Sequence, residues 1–461
     1  MKRFIIALVA VMVAASNIHA QQKTLRQLQQ EFVDLRFGMF IHFNIPTFST
    51  EDWPDPDQPA STFNPTRLDC KQWARVAKAA NMSYGCLTTK HHSGFCIWDT
   101  KTTDYNSMNS PVHRDVVREY AEAFRGEGLK VMLYYSILDT HSRLRPGRID
   151  TKAQTAMIKK QLTELLTKYG EITALIIDGW DAPWSRISYD DIPFREIYRH
   201  VKGLQPNCLV MDLNAAKYPR EALFYTDIKS YEQGAGQKIS TTENKLPALA
   251  CLPIQRTWFW KESMPTDELK DVEWIVNENV VPYNKAYCNF ILNVATNRDG
   301  LMDDNAVEAL KKIGSIWRNE GPTPSLPACE PPITQHNIAK SQPTEYSWSY
   351  DYGIGDFAND DDFATAWTSH PSVETPWWEV TVEKGKAFDL VTILQENAGV
   401  IQEYRLEAIK GGKVTILHDG EASSGRLLQH RFSPVRADKV RITVTRHKGV
   451  VKIAEFGVYE H

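Results

Sequence analysis

Residues 175–180 read Leu-Ile-Ile-Asp-Gly-Trp, an apolar run that ends in a carboxylate and a glycine. An apolar run without alternation is typical of a strand that is buried on both faces, as the strands of parallel sheets are. Further runs of this β type occur between about residues 35 and 318. We predict strands at 37–43, 84–90, 130–136, 172–178, 208–213, 224–231, 252–260 and 287–295.

Amphipathic stretches separate several of these runs, with apolar residues at helical spacing. They cover residues 68–80, 114–127, 152–169 and 303–317. Strands that alternate with helices predict a parallel sheet, and eight of them in about 280 residues favour an α/β fold of the (β/α)₈ TIM-barrel type. The helical spacing is weak after strands five and six, so we expect the barrel to be irregular there.

The composition changes after residue 320. Prolines are frequent between 321 and 335, which indicates a linker outside either core. Beyond it, short alternating segments separated by turn residues predict a C-terminal β-sandwich at 336–461, with strands at 377–382, 390–395, 404–409, 414–418 and 440–444. The expected domains are therefore a catalytic barrel at 21–320, the linker and this sandwich.

The first twenty residues have the pattern of a signal peptide, in which Lys2 and Arg3 precede the apolar run 4–15 and Ala20 offers a small residue for cleavage. No later run reaches the roughly 20 apolar residues that a membrane-spanning helix needs. We expect an exported protein, periplasmic or extracellular. The formal net charge of −4 argues against nucleic acid or an anionic membrane as a partner.

The seven cysteines are scattered along the chain without a CxxC pair, so a zinc knuckle is not indicated. Free cysteines behave as small apolar residues and are usually buried. We predict that most of them lie in the core.

In a TIM barrel the active site lies at the carboxyl ends of the strands, so polar residues that end apolar runs are candidates. Strand one ends in His42, Trp53 follows, and strand two ends in His91 and His92. Imidazoles hydrogen-bond hydroxyl groups and indoles stack on apolar sugar faces, so this mixture indicates a sugar site. The adjacent histidines could alternatively ligate a metal, although neighbouring residues of a strand point to opposite faces.

Strand three ends in Tyr134 and Tyr135, of which only one should face the barrel interior. We choose Tyr135 as the candidate because it lies nearer the end of the strand. Tyr134 is the alternative.

Asp178 directly follows the buried run of strand four, where a barrel enzyme needs a carboxylate, and Asp181 is a competing candidate further into the loop. A retaining glycosidase needs a second carboxyl group roughly 5–5.5 Å from the first. Glu232, near the end of strand six, stands beside an aromatic residue that could raise its pKa by desolvation. Glu243 and Glu221 are its competitors.

These residues together resemble glycoside hydrolase family 29, the retaining α-L-fucosidases, through most of residues 35–318. The motifs that carry the resemblance are Gly-Met-Phe-Ile-His at 38–42, Lys-His-His-x-Gly-Phe at 90–95, Asp178-Gly179, Asn-x-x-Leu-Asn at 289–293 and Asp-Gly-Leu at 299–301. The resemblance implies that Asp178 is the nucleophile and Glu232 the acid/base. It implies fucose-binding roles for His42, Trp53, His91, His92 and Tyr135.

Residues 42–53 resemble the subgroup of this family that prefers α-1,3/1,4-linked fucose. Some positions depart from the family pattern, since Ser93 stands where an aspartate is usual and Ile176-Ile177 replaces Trp-Phe before the nucleophile. No counterpart of the arginine that lines many family sites is found near residues 212–217. These departures bear on the sugar specificity more than on the mechanism.

The C-terminal region resembles discoidin-like carbohydrate-binding modules of the family 32 type. The segments that carry this resemblance are the acidic stretch 359–367 and the ending 453–459. In such modules an acidic loop, a threonine and a late glutamate often hold a structural Ca²⁺ through oxygen ligands. The resemblance implies such a site at Asp360, Asp362, Thr365 and Glu455, with a solvated acidic turn as the alternative.

The sequence therefore predicts a retaining, exo-acting α-L-fucosidase that hydrolyses terminal fucose from oligosaccharides or glycoconjugates through a covalent glycosyl-enzyme. No cofactor is expected for the chemistry. The alternatives are a related exo-glycosidase acting on another sugar, such as galactose, and a secreted glycan-binding protein without turnover.

Overall fold

A computed structural model describes residues 22–144 and 147–461 of the chain. The signal peptide predicted at 1–20 lies outside these residues. Among the helices that the structure describes, none is both long and apolar enough to cross a bilayer.

Eight parallel strands form the first domain, in the hydrogen-bonded order β5-β4-β3-β2-β1-β8-β7-β6. The strands are β1 Phe37–Ile41, β2 Tyr84–Lys90, β3 Lys130–Ser136, β4 Ala174–Asp178, β5 Leu209–Asp212, β6 Lys229–Glu232, β7 Ala248–Pro253 and β8 Cys288–Asn293. Nearly every residue in them is buried, because the sheet encloses one core on its inner face and is covered by helices on the other. The predicted TIM-like α/β barrel is confirmed.

Eight α-helices accompany the barrel in the described chain. They are α1 Leu25–Leu35, α2 Cys70–Ala79, α3 Val116–Gly126, α4 Thr151–Lys168, α5 Phe194–Leu204, α6 Val272–Trp274, α7 Val281–Lys285 and α8 Asp304–Ile316. The first turns of α2, α3 and α4 are each capped by an aspartate that accepts a backbone N–H, namely Asp69, Asp115 and Asp150. Such caps fix where a helix begins, which is why these predicted starts lie close to the observed ones.

The barrel is irregular where the helical spacing was weak. In the described chain β5 and β6 do not pair, and the segment 213–228 between them holds a short 3₁₀ helix, Ala215–Lys217, instead of an α-helix. The strand predicted at 252–260 is wrong in its position, because the observed strand, β7, covers Ala248–Pro253. Proline has no N–H for a strand ladder, and the aromatic residues that follow it lie at the carboxyl end of the barrel.

The second domain is the predicted β-sandwich, with one sheet ordered β10-β17-β12-β15 and the other β14-β13-β16-β11-β9. Its strands are β9 Thr344–Tyr346, β10 Trp367–Thr368, β11 Trp377–Thr381, β12 Phe388–Gln395, β13 Ile401–Lys410, β14 Lys413–Glu421, β15 Leu427–Val435, β16 Lys439–His447 and β17 Lys452–Glu460. All their pairings are antiparallel. Trp367, Trp378 and Phe456 are fully buried between the sheets.

The proline-rich linker packs onto the barrel. Leu326 and Ile333 are buried in it, and Ile333 exchanges backbone hydrogen bonds with Leu223 and Tyr225 of the barrel at 2.7 and 2.8 Å. The expectation that the linker lies outside either core is therefore wrong for these two residues. An apolar side chain in a proline-rich stretch gains about as much from burial as one in a helix.

Six of the seven cysteines are buried as free thiols, and Cys329 is half-buried. The prediction that most cysteines belong to the core is confirmed.

Candidate active site

A cavity of about 230 Å³ opens at the carboxyl ends of the barrel strands. Its small volume suits a ligand of monosaccharide size, because drug-sized ligands occupy roughly 300–1,000 Å³. The side chains that line it are Phe40, His42, Asp52, Trp53, His91, His92, Tyr134, Asp178, Trp184, Leu213, Glu232, Trp258 and Phe259. Six of the seven predicted catalytic and sugar-binding residues are among them, and Tyr135 is not.

Asp178 is the last residue of β4 and is 5% exposed. Its Oδ2 accepts a hydrogen bond from the Tyr134 hydroxyl at 2.6 Å, and its Oδ1 accepts one from Asn214 Nδ2 at 2.8 Å. Gly179 follows with a φ of 105°, a conformation that favours glycine, and a Cβ there would lie 3.0 Å from Ile137. The carboxylate is thus held from both sides at the point where the backbone turns out of the strand.

Glu232 is the last residue of β6 and faces the same cavity. Burial raises its pKa to about 7, the negative charge of Asp178 adds to this rise, and a hydrogen bond with the Trp258 side chain opposes it. A carboxyl group with such a pKa can carry a proton near neutral pH, as a general acid must.

Three imidazoles, those of His42, His91 and His92, line the same cavity, and burial lowers the pKa of each. Burial lowers the pKa of His42 to about 3, although the hydrogen bond between its Nδ1 and Asn293 Oδ1, 2.7 Å long, opposes this. Burial also lowers the pKa of His92 to about 4, with Nδ1 2.7 Å from Ser136 Oγ and Nε2 3.7 Å from Asp178 Oδ2. A neutral imidazole both donates and accepts a hydrogen bond, which is what recognition of sugar hydroxyls requires.

His91 and His92 both line the cavity, with ring centroids 3.9 Å apart. The expectation that they point to opposite faces is wrong, because β2 ends at Lys90 and strand alternation no longer holds beyond it. Burial lowers the pKa of His91, whose Nδ1 finds no hydrogen-bond partner within the described residues. That nitrogen is therefore available to a ligand hydroxyl.

The predicted site tyrosine is wrong, and Tyr134 takes its place. The Tyr135 hydroxyl donates to Gln161 of α4 at 2.6 Å, and Lys90 Nζ lies 3.2 Å from it, so this ring faces the helix layer. Met132 and Tyr134 belong to the apolar cluster inside the barrel, whereas Leu133 and Tyr135 belong to the cluster under the helices. The reason is strand alternation, which nearness to the rim does not change.

Aromatic side chains from three loops complete the walls. Trp53 is 46% exposed, lies 4.7 Å from the His92 ring and meets Trp184 edge-on at 5.3 Å. Trp258 lies 4.9 Å from His42, and Phe259 contacts His42 and His91. Of these four aromatic residues, the sequence predicts only Trp53 as a site residue. The other three come from loops whose path the sequence does not reveal.

The competing carboxyl groups are engaged elsewhere. Asp181 forms an ion pair with Lys217, Glu243 pairs with Arg220 at 2.6 Å, and Glu221 pairs with Arg426 at 2.9 Å. None of the three lines the cavity as the structure describes it. Asp178 and Glu232 are the carboxyl groups that can act on one ligand, together with Asp52 at the rim.

We predict that Tyr134→Phe lowers kcat/KM by about tenfold to a hundredfold, because it removes a donor that holds a charged carboxylate. Tyr135→Phe is the matched control. It should lower the thermal stability through loss of a buried hydrogen bond, while changing kcat/KM by less than about threefold. Steady-state kinetics and thermal melts of both variants test this, and a larger kinetic loss for Tyr135→Phe would contradict the assignment.

The acidic turn of the second domain has features of a cation site. Glu455 is buried, and its Oε1 has no hydrogen-bond partner among the described residues, while burial and the charges of Asp361 and Asp360 raise its pKa. The Thr365 hydroxyl lies 2.9 Å from both Asp360 Oδ2 and the backbone oxygen of Asp362. Carboxylate, hydroxyl and backbone oxygens of this kind are the ligands that Ca²⁺ takes in proteins.

The carboxylate of Asp362 does not join this set. It is exposed and accepts the N–H of Ala364 at 3.0 Å, so only its backbone oxygen faces Thr365. Asp362, which the resemblance implies as a member of the site, can therefore contribute its backbone oxygen, since its side chain caps the turn. Within the described chain no group of three or more His, Cys, Asp or Glu side chains could hold a metal ion, so a site here would depend on hydroxyl and backbone oxygens.

Comparison with known proteins gives a consistent result. A family model described as Alpha-L-fucosidase matches residues 55–321, and a model described as F5/8 type C domain matches residues 337–456. Alpha-L-fucosidase 1 of Arabidopsis thaliana is 30% identical over 316 residues, which cover 63% of this chain and 59% of the plant protein. Tissue alpha-L-fucosidase of Bos taurus is 25% identical over 331 residues, covering 63% and 67% respectively. The chain spans less than two thirds of the plant relatives' length.

Solved structures show the same architecture. Alpha-L-fucosidase isoenzyme 1 from Paenibacillus thiaminolyticus matches 93% of this chain and 100% of its own, with a TM-score of 0.56 and 24% identity. A Ruminococcus gnavus GH29 fucosidase mutant in complex with fucose matches 94% of each chain, with a TM-score of 0.52 and 20% identity. At these identities the likeness shows the shared fold.

Proposed function

Because the chain belongs to the α-L-fucosidase family, whose model matches more than half of it, we propose that it is a retaining, exo-acting α-L-fucosidase. Its substrate is a terminal fucose on an oligosaccharide or glycoconjugate. The observation that carries this proposal is one cavity of monosaccharide size into which Asp178, Glu232 and three neutral imidazoles all face.

The two carboxyl groups perform a double displacement. Asp178 attacks the anomeric carbon, the bond to the glycosidic oxygen breaks, and Glu232 gives its proton to that oxygen. Water then attacks the anomeric carbon, Glu232 takes a proton from the water, and the bond to Asp178 breaks. The sugar leaves with the configuration that it had in the substrate.

The electrostatics of the pair suit this exchange of roles. Burial and, after it, the negative charge of Asp178 raise the pKa of Glu232 to about 7, so Glu232 can hold the proton that the first step requires. When Asp178 becomes an ester, that charge disappears and the pKa of Glu232 falls. The same group is then a base in the second step.

Exo-action is supported by the depth of the site. The floor is formed by buried side chains such as Phe40 and Tyr134, while Trp53 and Trp184 stand partly exposed at the mouth. A single sugar can enter, and the rest of a glycan must lie against the exposed indoles. We retain the α-1,3/1,4 linkage preference as a prediction, and the resemblance of residues 42–53 supports it.

Hydrolysis of an aryl α-L-fucoside and of a fucosylated trisaccharide, followed by proton NMR, tests the proposal. We expect α-L-fucose to be the first product, because two displacements retain configuration. Initial release of β-L-fucose would mean a single displacement and would remove both role assignments. Hydrolysis of an aryl α-galactoside but not the fucoside would favour the related exo-glycosidase, and binding without turnover would favour a lectin-like protein.

We also propose that the protein acts after export, periplasmic or extracellular, and that its chemistry needs no cofactor. The basic and apolar pattern of residues 1–20 supports export. Two carboxyl groups suffice for a glycosyl transfer to water, which supports the proposal that the chemistry needs no cofactor.

In the second domain we propose a structural Ca²⁺ held by Asp360, Thr365 and Glu455 with backbone oxygens of the turn. An ion that binds only the folded state stabilises it, by about 2.7 kcal/mol at roughly 100 times its Kd. EDTA should therefore lower the melting temperature of the wild type and of Asp362→Asn, but not that of Glu455→Gln. Equal EDTA effects in all three proteins would contradict this site.

A further inference from the structure

Two loops flank Asp178, and both are tied to one lysine. The first loop, 179–192, follows β4 and carries Trp184; the second, 213–218, follows β5 and carries Asn214. Lys217 of the second loop forms an ion pair with Asp181 of the first. The side chain that holds the nucleophile and the loop that lines the cavity mouth thus share one anchor.

The same lysine reaches the second domain. Lys217 Nζ lies 3.4 Å from Asp361 Oδ2, in the acidic turn of the β-sandwich. Asp361 is itself fixed there, because its N–H donates to Glu455 at 3.2 Å and Lys340 Nζ lies 2.9 Å from its Oδ2. Its side chain is only 17% exposed, so water screens this contact less than it screens a surface pair.

An aromatic contact reinforces the ionic one. The Lys217 ammonium lies 4.8 Å over the Tyr218 ring, and the same ring packs edge-on against Phe363 of the sandwich at 5.5 Å. The second loop is therefore held between the two domains.

The barrel holds the second loop at its two ends, where the Leu213 N–H donates to the Ile177 backbone oxygen at 2.9 Å and Lys229 Nζ donates to that of Tyr218 at 2.7 Å. In the part of the chain that the structure describes, β5 has no hydrogen-bonded neighbour on the side of β6, and no α-helix follows it. A displacement of about 1 Å in a group that positions the reacting atoms can cost roughly a hundredfold in rate. The contacts of Lys217 and Tyr218 with the second domain add to these barrel contacts in fixing the place of Asn214.

From these contacts we infer that Lys217 is a positioning residue, through which Asp361 of the β-sandwich holds the two loops that place Asp178 and Trp184. The sandwich then contributes to the geometry of the catalytic site without touching the substrate. The kinetic part of this inference rests on the proposed function, while its structural part does not.

Hydrogen exchange of the full-length protein tests the structural part. Asp361→Asn removes the charge that faces Lys217, together with the Asp361–Lys340 ion pair, and leaves the Lys217–Asp181 pair in place. Lys217→Met removes the contacts of Lys217 with both Asp181 and Asp361. We expect faster amide exchange in 179–192 and 213–218 in both variants. The control is Lys159→Met, whose lysine is equally exposed at 33% and pairs with Glu196 on the helix layer. It should leave both loops unchanged.

Kinetics on an aryl fucoside test the positioning role. We expect Asp361→Asn to lower kcat about three- to tenfold, since a coupled pair of this kind contributes up to about one factor of ten. KM should change by less than about twofold, because His42, His91 and His92, which we propose to bind the sugar, lie on neither of the two loops. Lys217→Arg, which keeps the charge, should retain most of the wild-type kcat. If Lys217 and Asp361 had only a structural role, the variants would lose thermal stability without a selective fall in kcat at unchanged KM.

The outcomes separate this inference from the proposed function. If the wild-type protein hydrolyses no fucoside, the proposed function is wrong. Amide hydrogen exchange in the two loops would still test whether Lys217 and Asp361 hold them. Unchanged exchange in both loops of Asp361→Asn would overturn the inference. The double variant Lys217→Met with Asp361→Asn gives a second test, because the effects of coupled residues are not additive. If the two effects on amide exchange simply add in this variant, the inference is also overturned.

Discussion

Asp178→Gly should lower kcat by on the order of 10⁴-fold or more, since the variant lacks the side chain that forms the glycosyl-enzyme in the proposed mechanism. The fold should persist, because Gly179 already makes the turn and Asp178 contributes no apolar packing. Near-unchanged circular dichroism and melting temperature would show this. Hydrolysis at close to the wild-type rate would remove Asp178 from the role of nucleophile.

Azide makes this test specific. It is small enough to enter the space left by the carboxylate and attack the anomeric carbon from the same face. The Asp178→Gly variant should then regain part of its activity and yield the inverted β-fucosyl azide. Glu232→Gly is the matched control, since there azide enters on the other side after Asp178 has reacted, and the product should be the α-azide. Identical azide products from the two variants would contradict the assignment of roles.

Glu232→Gln should affect substrates according to their leaving groups. For the fucosylated trisaccharide, whose leaving oxygen needs a proton, kcat/KM should fall by about 10²- to 10⁴-fold. For an aryl fucoside with an acidic phenol, kcat/KM should change far less, because the phenolate leaves unaided. Glu243→Gln, which removes an exposed carboxyl group paired with Arg220, should leave both substrates unaffected. Equal losses on the two substrates would exclude Glu232 as the acid.

The pH profile follows from the same group. The pKa of Glu232 is raised to about 7, so the proton that it must donate is present below that pH and is lost as the pH rises through it. The kcat/KM for the trisaccharide should therefore fall on the alkaline side with a midpoint near pH 7. That limb should be absent in Glu232→Gln.

The sequence was a good guide wherever a feature depends on neighbours along the chain. The apolar run before Asp178 and the run before Glu232 predict buried strands, and the end of a strand in a parallel barrel points to the active site. The amphipathic spacing alone predicts α2, α3 and α4 close to where they lie, and the aspartate caps seen in the structure account for where these helices begin. These signals are local because one strand or one helix creates them.

The wrong predictions for site residues have a common cause, which is the local path of the backbone. Tyr134 and Tyr135 are the same residue type at adjacent positions, so the sequence alone does not distinguish them. The pleat of β3 decides which side chain points into the barrel. His91 and His92 were expected to diverge, yet both face the cavity because β2 ends before them. Successive side chains of a strand point to opposite faces, and this alternation holds only as far as the strand extends.

What the sequence determined by itself is the order of the strands, the division into a barrel and a β-sandwich, and the two carboxyl groups at strand ends. Only the tertiary structure decided which donors hold Asp178, since Asn214 comes from a loop 36 residues away along the chain. It also decided that Lys217 connects that loop to Asp361, 144 residues further on. The physical reason is that such contacts depend on how separate elements pack in space, and no periodicity or spacing within one element encodes that packing.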